Sequence, residues 1–420
     1  MMLNRDSLRA FLSRGFKYLL GGGISRGLPF LTAPILTRVF SAEEYGLFGL
    51  ALAATSFFVG LVSLGAPQYL IASYDKLRAV GDTASGLVAA GGLSLVGSVV
   101  SAVLLLVLDA FGWLGSFSQL LWIALALATA RVVLLLLSTV FQMEDRASDF
   151  LMLTLVPATS VLVFSVLASE WDWIGWHSLL VIEMLAITVV VGLWRRDAKR
   201  LIAGDVRARF GDVARFAVPV APHILALWGL NLADRLVIES VMGTSAVGMY
   251  TAAYSVGMGL SLLLESAQRV WQPAFYRSLN TLSWPHRTRV PTMMLQGAMA
   301  TLLLGAVYGA VAYLGFPWLV GGDFGQSRSV VLIVSLGYGV HGIYRILASI
   351  PLYHGITGRL GFVSVAAFIV NLILNVIFVP RYGLDGAAWA TVAAFGAQAF
   401  GALVIGWGRF AAPAHLGLRE

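Results

Sequence analysis

Cysteine is missing altogether from the 420 residues. Its absence excludes a disulfide framework, a thiol nucleophile and a thiolate metal site together. Charge is nearly as scarce: Asp, Glu, Lys and Arg make up 12% of the chain, where an ordinary soluble domain carries about 25%. The six histidines, His177, His223, His286, His341, His354 and His415, are scattered without ligand spacing, so no metal site is expected. No G-x-x-x-x-G-K-[ST] loop occurs, so no nucleotide-hydrolysing motor is evident. Nothing in the sequence supports an enzyme or calls for a cofactor.

What is abundant is apolar. Hydrophobic residues form 59% of the chain, and the mean hydropathy is +0.84. So few charges cannot cover that much apolar surface in water, so the solvent must be lipid. Tyr45–Tyr74, Thr83–Leu108, Ala110–Ala130, Phe150–Ser169, Ser240–Leu264, Val290–Gly322, Leu360–Pro380 and Gly386–Gly408 contain no Asp, Glu, Lys or Arg. Runs of this length are helical spans, which need about 20 apolar residues each. A β-barrel would alternate over about 10 residues instead. The expected fold is an all-α polytopic membrane protein of about twelve spans. They are placed at 15–37, 46–66, 84–108, 117–140, 149–169, 177–194, 215–238, 248–271, 292–320, 328–350, 360–380 and 386–407.

With the N-terminus in the cytoplasm, twenty of the 28 Lys and Arg fall on inner segments, and only Arg38, Arg328 and Arg381 on outer loops. That asymmetry follows the positive-inside rule and puts both termini in the cytoplasm. The excess of basic residues is then explained by topology and anionic lipid, and nucleic acid is not an expected partner. Trp171, Trp173 and Trp176 crowd one outer loop, as in an interfacial aromatic belt. Residues 1–17 mix Leu3, Leu8 and Phe11 with Arg5, Arg9 and Arg14, a pattern that lies flat on the inner leaflet.

The longest charged stretch lies near the midpoint. It divides the chain into an N-terminal lobe, 1–194, a cytoplasmic linker, 195–214, and a C-terminal lobe, 215–420. Glu44-Tyr45-Gly46-Leu47-Phe48 is echoed by Ala246-Val247-Gly248-Met249-Tyr250, and Thr37-Arg38 by Asp234-Arg235. Such echoes are consistent either with a parallel duplication of six spans or with recurrent turn chemistry at helix starts. Pro29 and Pro34, and Pro219 and Pro222, are expected to interrupt equivalent first helices of the halves, as gates or as fixed kinks. Gly23-x-x-x-Gly27 and Gly305-x-x-x-Gly309 allow close approach of helix backbones. Gly337-Tyr338-Gly339-Val340-His341-Gly342 matches a dinucleotide fingerprint but lies inside an apolar span, so it too reads as helix packing.

Ionisable residues in spans are costly, about 2.5–3.5 kcal/mol each on insertion scales, and each requires a cavity, a partner or an interface. Arg26 and Arg131 are deep in spans one and four without an acidic residue three or four positions away, and are the main candidates for an anion site. Arg345 is a third candidate, with snorkelling to the inner interface as its rival. Glu265 and Arg269 are spaced to pair along one helix face. Asp234, Arg235 and Glu239 can neutralise one another. Glu183 has no partner visible in sequence, and with Glu265 and Asp234 it is a candidate for ion or proton coupling. His223 and His341 read as polar contacts between helices, or as proton relays. Arginine's fixed fork suits phosphate oxygens, so the inferred ligand is anionic and phosphate-bearing; the rival is that these arginines only bond the carbonyls of bent helices.

The chain resembles the bacterial polysaccharide (O-antigen) flippases of the multidrug/oligosaccharidyl-lipid/polysaccharide exporter superfamily. The resemblance is carried by Gly22-Gly23-Ile24-Ser25-Arg26, Thr37-Arg38-Val39-Phe40-Ser41 and Glu43-Glu44-Tyr45-Gly46. Asp234-Arg235, Gly243 and Val247-Gly248-Met249-Tyr250 follow, then Asn371, Asn375, Pro380, Tyr382-Gly383 and Asp385-Gly386-Ala387-Ala388. It implies a V-shaped bundle of two six-helix lobes without ATP hydrolysis, working by alternating access in the bacterial cytoplasmic membrane. The implied substrate is an undecaprenyl-pyrophosphate-linked oligosaccharide for surface polysaccharide such as lipopolysaccharide or exopolysaccharide. A polysaccharide polymerase and a chain-length regulator are the implied protein partners. The alternatives are a cation-coupled multidrug exporter of the same superfamily, and a non-transporting scaffold of a polysaccharide synthase.

Overall fold

The structure, a computed structural model, describes residues 27–28, 30–171, 174–202, 205–281 and 290–407. Arg26, Pro29 and the amphipathic stretch 1–17 lie outside the described residues. Among those described there is no strand. The helices are α1 (Phe30–Val39), α2 (Ala42–Ser63), α3 (Ala66–Ala79), α4 (Thr83–Ala110), α5 (Ser118–Met143), α6 (Ala147–Leu167) and α7 (Trp176–Leu193). They continue with the single turn α8 (Arg195–Lys199), α9 (Arg207–Met242), α10 (Thr244–Thr281), α11 (Val290–Leu319), α12 (Arg328–Tyr353) and α13 (Thr357–Gly406).

Ten of these helices are long and apolar enough to cross a membrane. The last, α13, is two spans joined at Gly383, whose φ of 60° and ψ of −139° interrupt the helix. Only glycine adopts that backbone without a Cβ clash. The turn is tight: a Cβ on Gly386 would lie 2.4 Å from the carbonyl oxygen of Phe378. Every expected span from the second to the twelfth therefore has its helix, and the first is described only from Gly27 onward, with Pro29 left out.

The outward faces show why lipid is the solvent. On α4, Leu95, Val99, Val103 and Leu106 recur at helical spacing and are exposed, while Ser94, Gly97 and Ser101 are buried. The buried hydroxyls donate within their own helix, Ser94 to the Ala90 carbonyl and Ser101 to that of Gly97. A water-soluble helix would be arranged the other way round. This is a multi-pass membrane protein.

By compactness the chain forms two units, one comprising residues up to Phe40 and Leu47–Trp228, the other Ser41–Gly46 and everything from Gly229. The division falls inside α9, and the charged segment 195–214 packs with the first unit. Leu201 covers Gly91, where a Cβ would meet the Leu201 oxygen at 2.4 Å. Arg200 bridges Glu144 at 2.7 Å, and Arg209 bridges Asp82 at 2.7 Å. In the second unit α12 packs against α10, α11 and α13.

Two sequence expectations meet this architecture differently. Pro219 and Pro222 do not break their helix: α9 runs through both. Each proline removes one N–H, leaving the carbonyls of Arg215 and Val218 without an intrahelical donor, but spanning helices tolerate this where neighbours supply the loss. The Gly305–Gly309 spacing does serve packing, while Gly23 of the other spacing lies outside the described residues. A Cβ on Gly305 would lie 3.1 Å from Gly339 Cα, and one on Gly309 3.0 Å from Ser335 Cβ. Gly342 faces Thr301 and Gly337 faces Val392, so the apparent dinucleotide motif is a contact surface for α11 and α13.

Candidate functional site

Arg131 stands near the middle of α5, and Glu183 ten residues before the end of α7. At 1.5 Å per residue both lie roughly 15–18 Å from the C-terminal ends of their helices. Their side chains meet. Arg131 Nε–H donates to Glu183 Oε1 and Nη2–H to Oε2, both at 2.7 Å. This is the two-pronged geometry in which guanidinium and carboxylate bind most strongly. The sequence expectation that each stands alone is thereby corrected: the partner of each is fifty-two residues away, beyond any helical spacing.

The pair borders a cavity of about 420 Å³ within the first unit. Its wall is mostly apolar, with Phe48, Pro157 and Trp228 among the lining residues, and includes the hydroxyls of Thr32, Ser56 and Ser138. Those hydroxyls are already donating, to the carbonyls of Leu28, Leu52 and Leu135. Among the described residues, Arg131 and Glu183 are the only ionisable ones in the lining. Arg131 retains 27% of its side-chain exposure and Glu183 10%, so the guanidinium is the more accessible of the two.

Arg345 borders a cavity in the second unit. It donates from Nη1 to Gln268 Oε1 at 3.0 Å and from Nη2 to Glu265 Oε1 at 3.3 Å, beside a smaller cavity of about 160 Å³. The ion pair found for Glu265 is thus with α12, in place of the expected pair with Arg269 on its own helix.

Asp234 and Arg235 are buried together. Asp234 Oδ2 accepts from the Tyr250 hydroxyl at 2.8 Å, and Oδ1 from the Arg235 backbone N–H at 2.8 Å. The Arg235 guanidinium lies 5.8 Å above the Tyr250 ring and 5.1 Å above that of Tyr254. The Tyr254 and Tyr338 hydroxyls are 3.2 Å apart. Tyr254 had no motif to reveal it, only its place four residues after Tyr250 on the same helix face, and Tyr338 appeared only inside the glycine stretch read as helix packing. Asn375 donates to the Asn371 carbonyl and side chain, at 2.9 and 3.1 Å. Nδ1 of His223 and of His341, and both amide atoms of Gln398, are buried without a hydrogen-bond partner among the described residues. The His341 ring lies 4.6 Å from that of Phe395, tilted by 43°.

The motif residues at the N-terminal ends of α2 and α10 come together. Tyr45 is buried edge-on against Phe324 at 5.6 Å, and Gly46 and Gly248 pack backbone to backbone. Arg38, at the exposed end of α1, donates to the Pro34 carbonyl. Ser329 of α12 donates to Asp385 at 2.6 Å, anchoring the turn that follows Pro380 and Gly383.

The fold is shared with solved transporters. An inward-facing multidrug-resistance MATE family transporter of the MOP superfamily matches with a TM-score of 0.72 at 15% identity, over 93% of this chain and 96% of that one. The lipid II flippase MurJ, in an inward closed conformation, matches with a TM-score of 0.66 at 15% identity, over 92% and 86%. Among curated proteins, Lsg locus putative protein 1 of Haemophilus influenzae is 19% identical over 393 residues, covering 88% of this chain and 93% of its own. The profile of the polysaccharide biosynthesis protein family matches residues 12–279, more than half of the sequence, and so the chain belongs to that family.

Proposed function

We propose that the protein moves polyprenyl-pyrophosphate-linked oligosaccharide units across the bacterial cytoplasmic membrane, by alternating access and without ATP hydrolysis. Membership of the polysaccharide biosynthesis family and a fold shared with MATE transporters and MurJ support lipid-linked oligosaccharide transport. The single observation behind the headgroup assignment is the Arg131 guanidinium, held at mid-helix depth on the wall of a 420 Å³ cavity. Among the described residues it is the one positively charged group in that lining. Arginine stays charged at any physiological pH and matches phosphate oxygens two at a time. Arg345 is the equivalent contact in the second unit, and Arg26 remains a candidate from sequence. Both termini face the cytoplasm in this reading.

Complementation of a flippase-deficient host tests it, with Arg26→Ala, Arg131→Ala and Arg345→Ala compared at equal protein level. Loss of surface polysaccharide in the Arg131 variant is expected. Full activity in all three removes the anion-site assignment. A multidrug exporter is the second reading, favoured by the pairing of Arg131 and of Arg345 with a carboxylate. Broad resistance of an expressing strain to dyes and cationic antibiotics, without complementation, would select it.

A further inference from the structure

Arg131 has committed Nε and Nη2 to Glu183. That is the Nε–Nη2 side of the guanidinium, one of the two sides on which a phosphate can be held by two parallel donors; the Nη1–Nη2 side keeps three N–H. The wall's hydroxyls add little, because Thr32, Ser56, Ser138 and Thr154 spend their hydrogens on their own helices, which leaves the Trp228 indole N–H as the other donor in the lining. An anion that takes the Nε–Nη2 side competes with Glu183 for it. The carboxylate it displaces is left in an apolar wall, where an unpaired charge is strongly unfavourable.

Resting on the reading above, we propose that Glu183 is an internal placeholder for the substrate's phosphate: the headgroup takes the Arg131 fork as Glu183 leaves it and binds one proton. The exchange is balanced. One ion pair breaks and another forms, one O–H bond forms on Glu183, and the proton comes from the aqueous phase with no change of oxidation state. Substrate binding and proton uptake are then one event.

Among the described residues, no other titratable group lies in the cavity lining. The elements packed against α7 are α5, α6 and α8. α5 presents Arg131, and α6 contributes Thr154, Pro157, Ala158 and Val161 to the cavity wall. The charges of α8, Arg195, Arg196, Asp197 and Lys199, begin twelve residues beyond Glu183, about 18 Å along a helical path. His177, six residues earlier on α7, is about 9 Å away by the same measure. α1, α2 and α9 face the cavity with Thr32, Phe48, Ser56 and Trp228 and bring no ionisable side chain into its lining.

The absence of cysteine makes the test direct. S56C places a single thiol in the cavity wall of the full chain, reconstituted in nanodiscs of phosphatidylethanolamine and phosphatidylglycerol. Protection of that thiol from a neutral maleimide is titrated with geranylgeranyl pyrophosphate and with inorganic pyrophosphate, at pH 6 and pH 8. With Glu183 present, protection is expected to weaken from pH 6 to pH 8 by up to roughly tenfold per unit beyond the probe's own titration. In Glu183→Gln that excess vanishes, and half-protection at pH 8 needs at least about tenfold less probe. Glu183→Asp, whose shorter carboxylate holds the fork less well, is expected between the two and serves if the Gln variant does not fold. Arg131→Ala abolishes protection.

If the wild-type pair is protected but Glu183→Gln binds no tighter and keeps the same pH dependence, the placeholder proposal is overturned while the anion site stands. If neither probe protects the thiol in any background, the headgroup reading fails and takes this proposal with it. Protection by the lipid but not by inorganic pyrophosphate supports the exchange with a lipid-borne phosphate; protection by both supports it for either source.

Discussion

Gly46 and Gly248 meet backbone to backbone. A Cβ on Gly46 would lie 2.1 Å from the carbonyl oxygen of Thr244, and one on Gly248 1.8 Å from that of Ala42. Each therefore docks against the residue four positions before the other, at the first turn of the other's helix. These are the two glycines that echo each other in the sequence, so the repeated motif marks a reciprocal contact. Tyr45 and Tyr250, beside them, are both buried.

Gly248→Ala is expected to be severe. The obstructing atoms are backbone, which cannot rotate away, so the cost should exceed the about 1–3 kcal/mol usual for overpacking. Thermal unfolding of purified protein in detergent checks this. Gly315→Ala, where nothing lies within 4 Å of the new methyl group, is the matched control and should be neutral or mildly stabilising.

The spans were legible because lipid demands long uncharged runs, and those runs can be read one residue at a time. Glycine packing on Gly305, Gly309 and the Gly337–Gly342 stretch was legible for the same reason. Partners across helices were not. Helical spacing offered Glu265 only Arg269, whereas Arg345 approaches from α12 and forms the bridge found. Arg131 stood out as a lone charge, but its neutralisation by Glu183 depends on how α5 and α7 pack, which no local rule encodes. The segment 195–214 read as a linker because it is charged, yet Arg200 pairs with Glu144, Asp197 with Arg146 and Arg209 with Asp82, and these ion pairs hold it down.

Tyr250→Phe and Tyr254→Phe should differ in a fixed order. The Tyr250 hydroxyl donates to the buried Asp234 carboxylate, whereas the Tyr254 hydroxyl meets another phenol. Hydrogen bonds to charged groups contribute about 1.5–3 kcal/mol and neutral ones about 0.5–1.5. Thermal melts of the two variants should therefore show Tyr250→Phe as the less stable. Equal losses would mean that Asp234 is held by Arg235 alone.

Acid should loosen the charged end of the first unit. Burial works against the charge of Glu144, but bonds from Arg200 and Tyr74 outweigh it and hold the carboxyl below its usual value of 4.5. Asp82 is likewise lowered, by Ser85 and then Arg209. A carboxyl depressed in the folded state stabilises the fold fully above its unfolded value, and that stability is lost as pH falls through the folded value. Wild-type melting temperature should thus be flat from pH 7 to about 5 and drop below about 4.5. In Glu144→Gln the melt starts lower at neutral pH, and the part of the acid drop owed to this residue disappears.

Stability and transport should separate at Arg131 and Glu183. Removing either partner leaves the other charge in an apolar wall, which costs about 3–5 kcal/mol for a buried pair. Arg131→Ala and Glu183→Ala should therefore both melt early, and transport loss in either could be blamed on folding. Replacing both, as Arg131→Leu with Glu183→Leu, removes the two charges at once, and apolar replacement of a buried pair is often neutral or stabilising. The double variant is expected to recover most of the lost stability, with a coupling energy well above the about 0.3–0.5 kcal/mol scatter of independent sites. It should still fail to complement a flippase-deficient host, because the fork is gone. Arg131→Lys sharpens the point: it keeps the charge, so it melts near wild type, but it offers a point charge where the headgroup needs two parallel donors. A double variant that is stable and transports normally would show that the pair serves packing alone, whereas a stable, inactive one assigns the guanidinium to the work of transport.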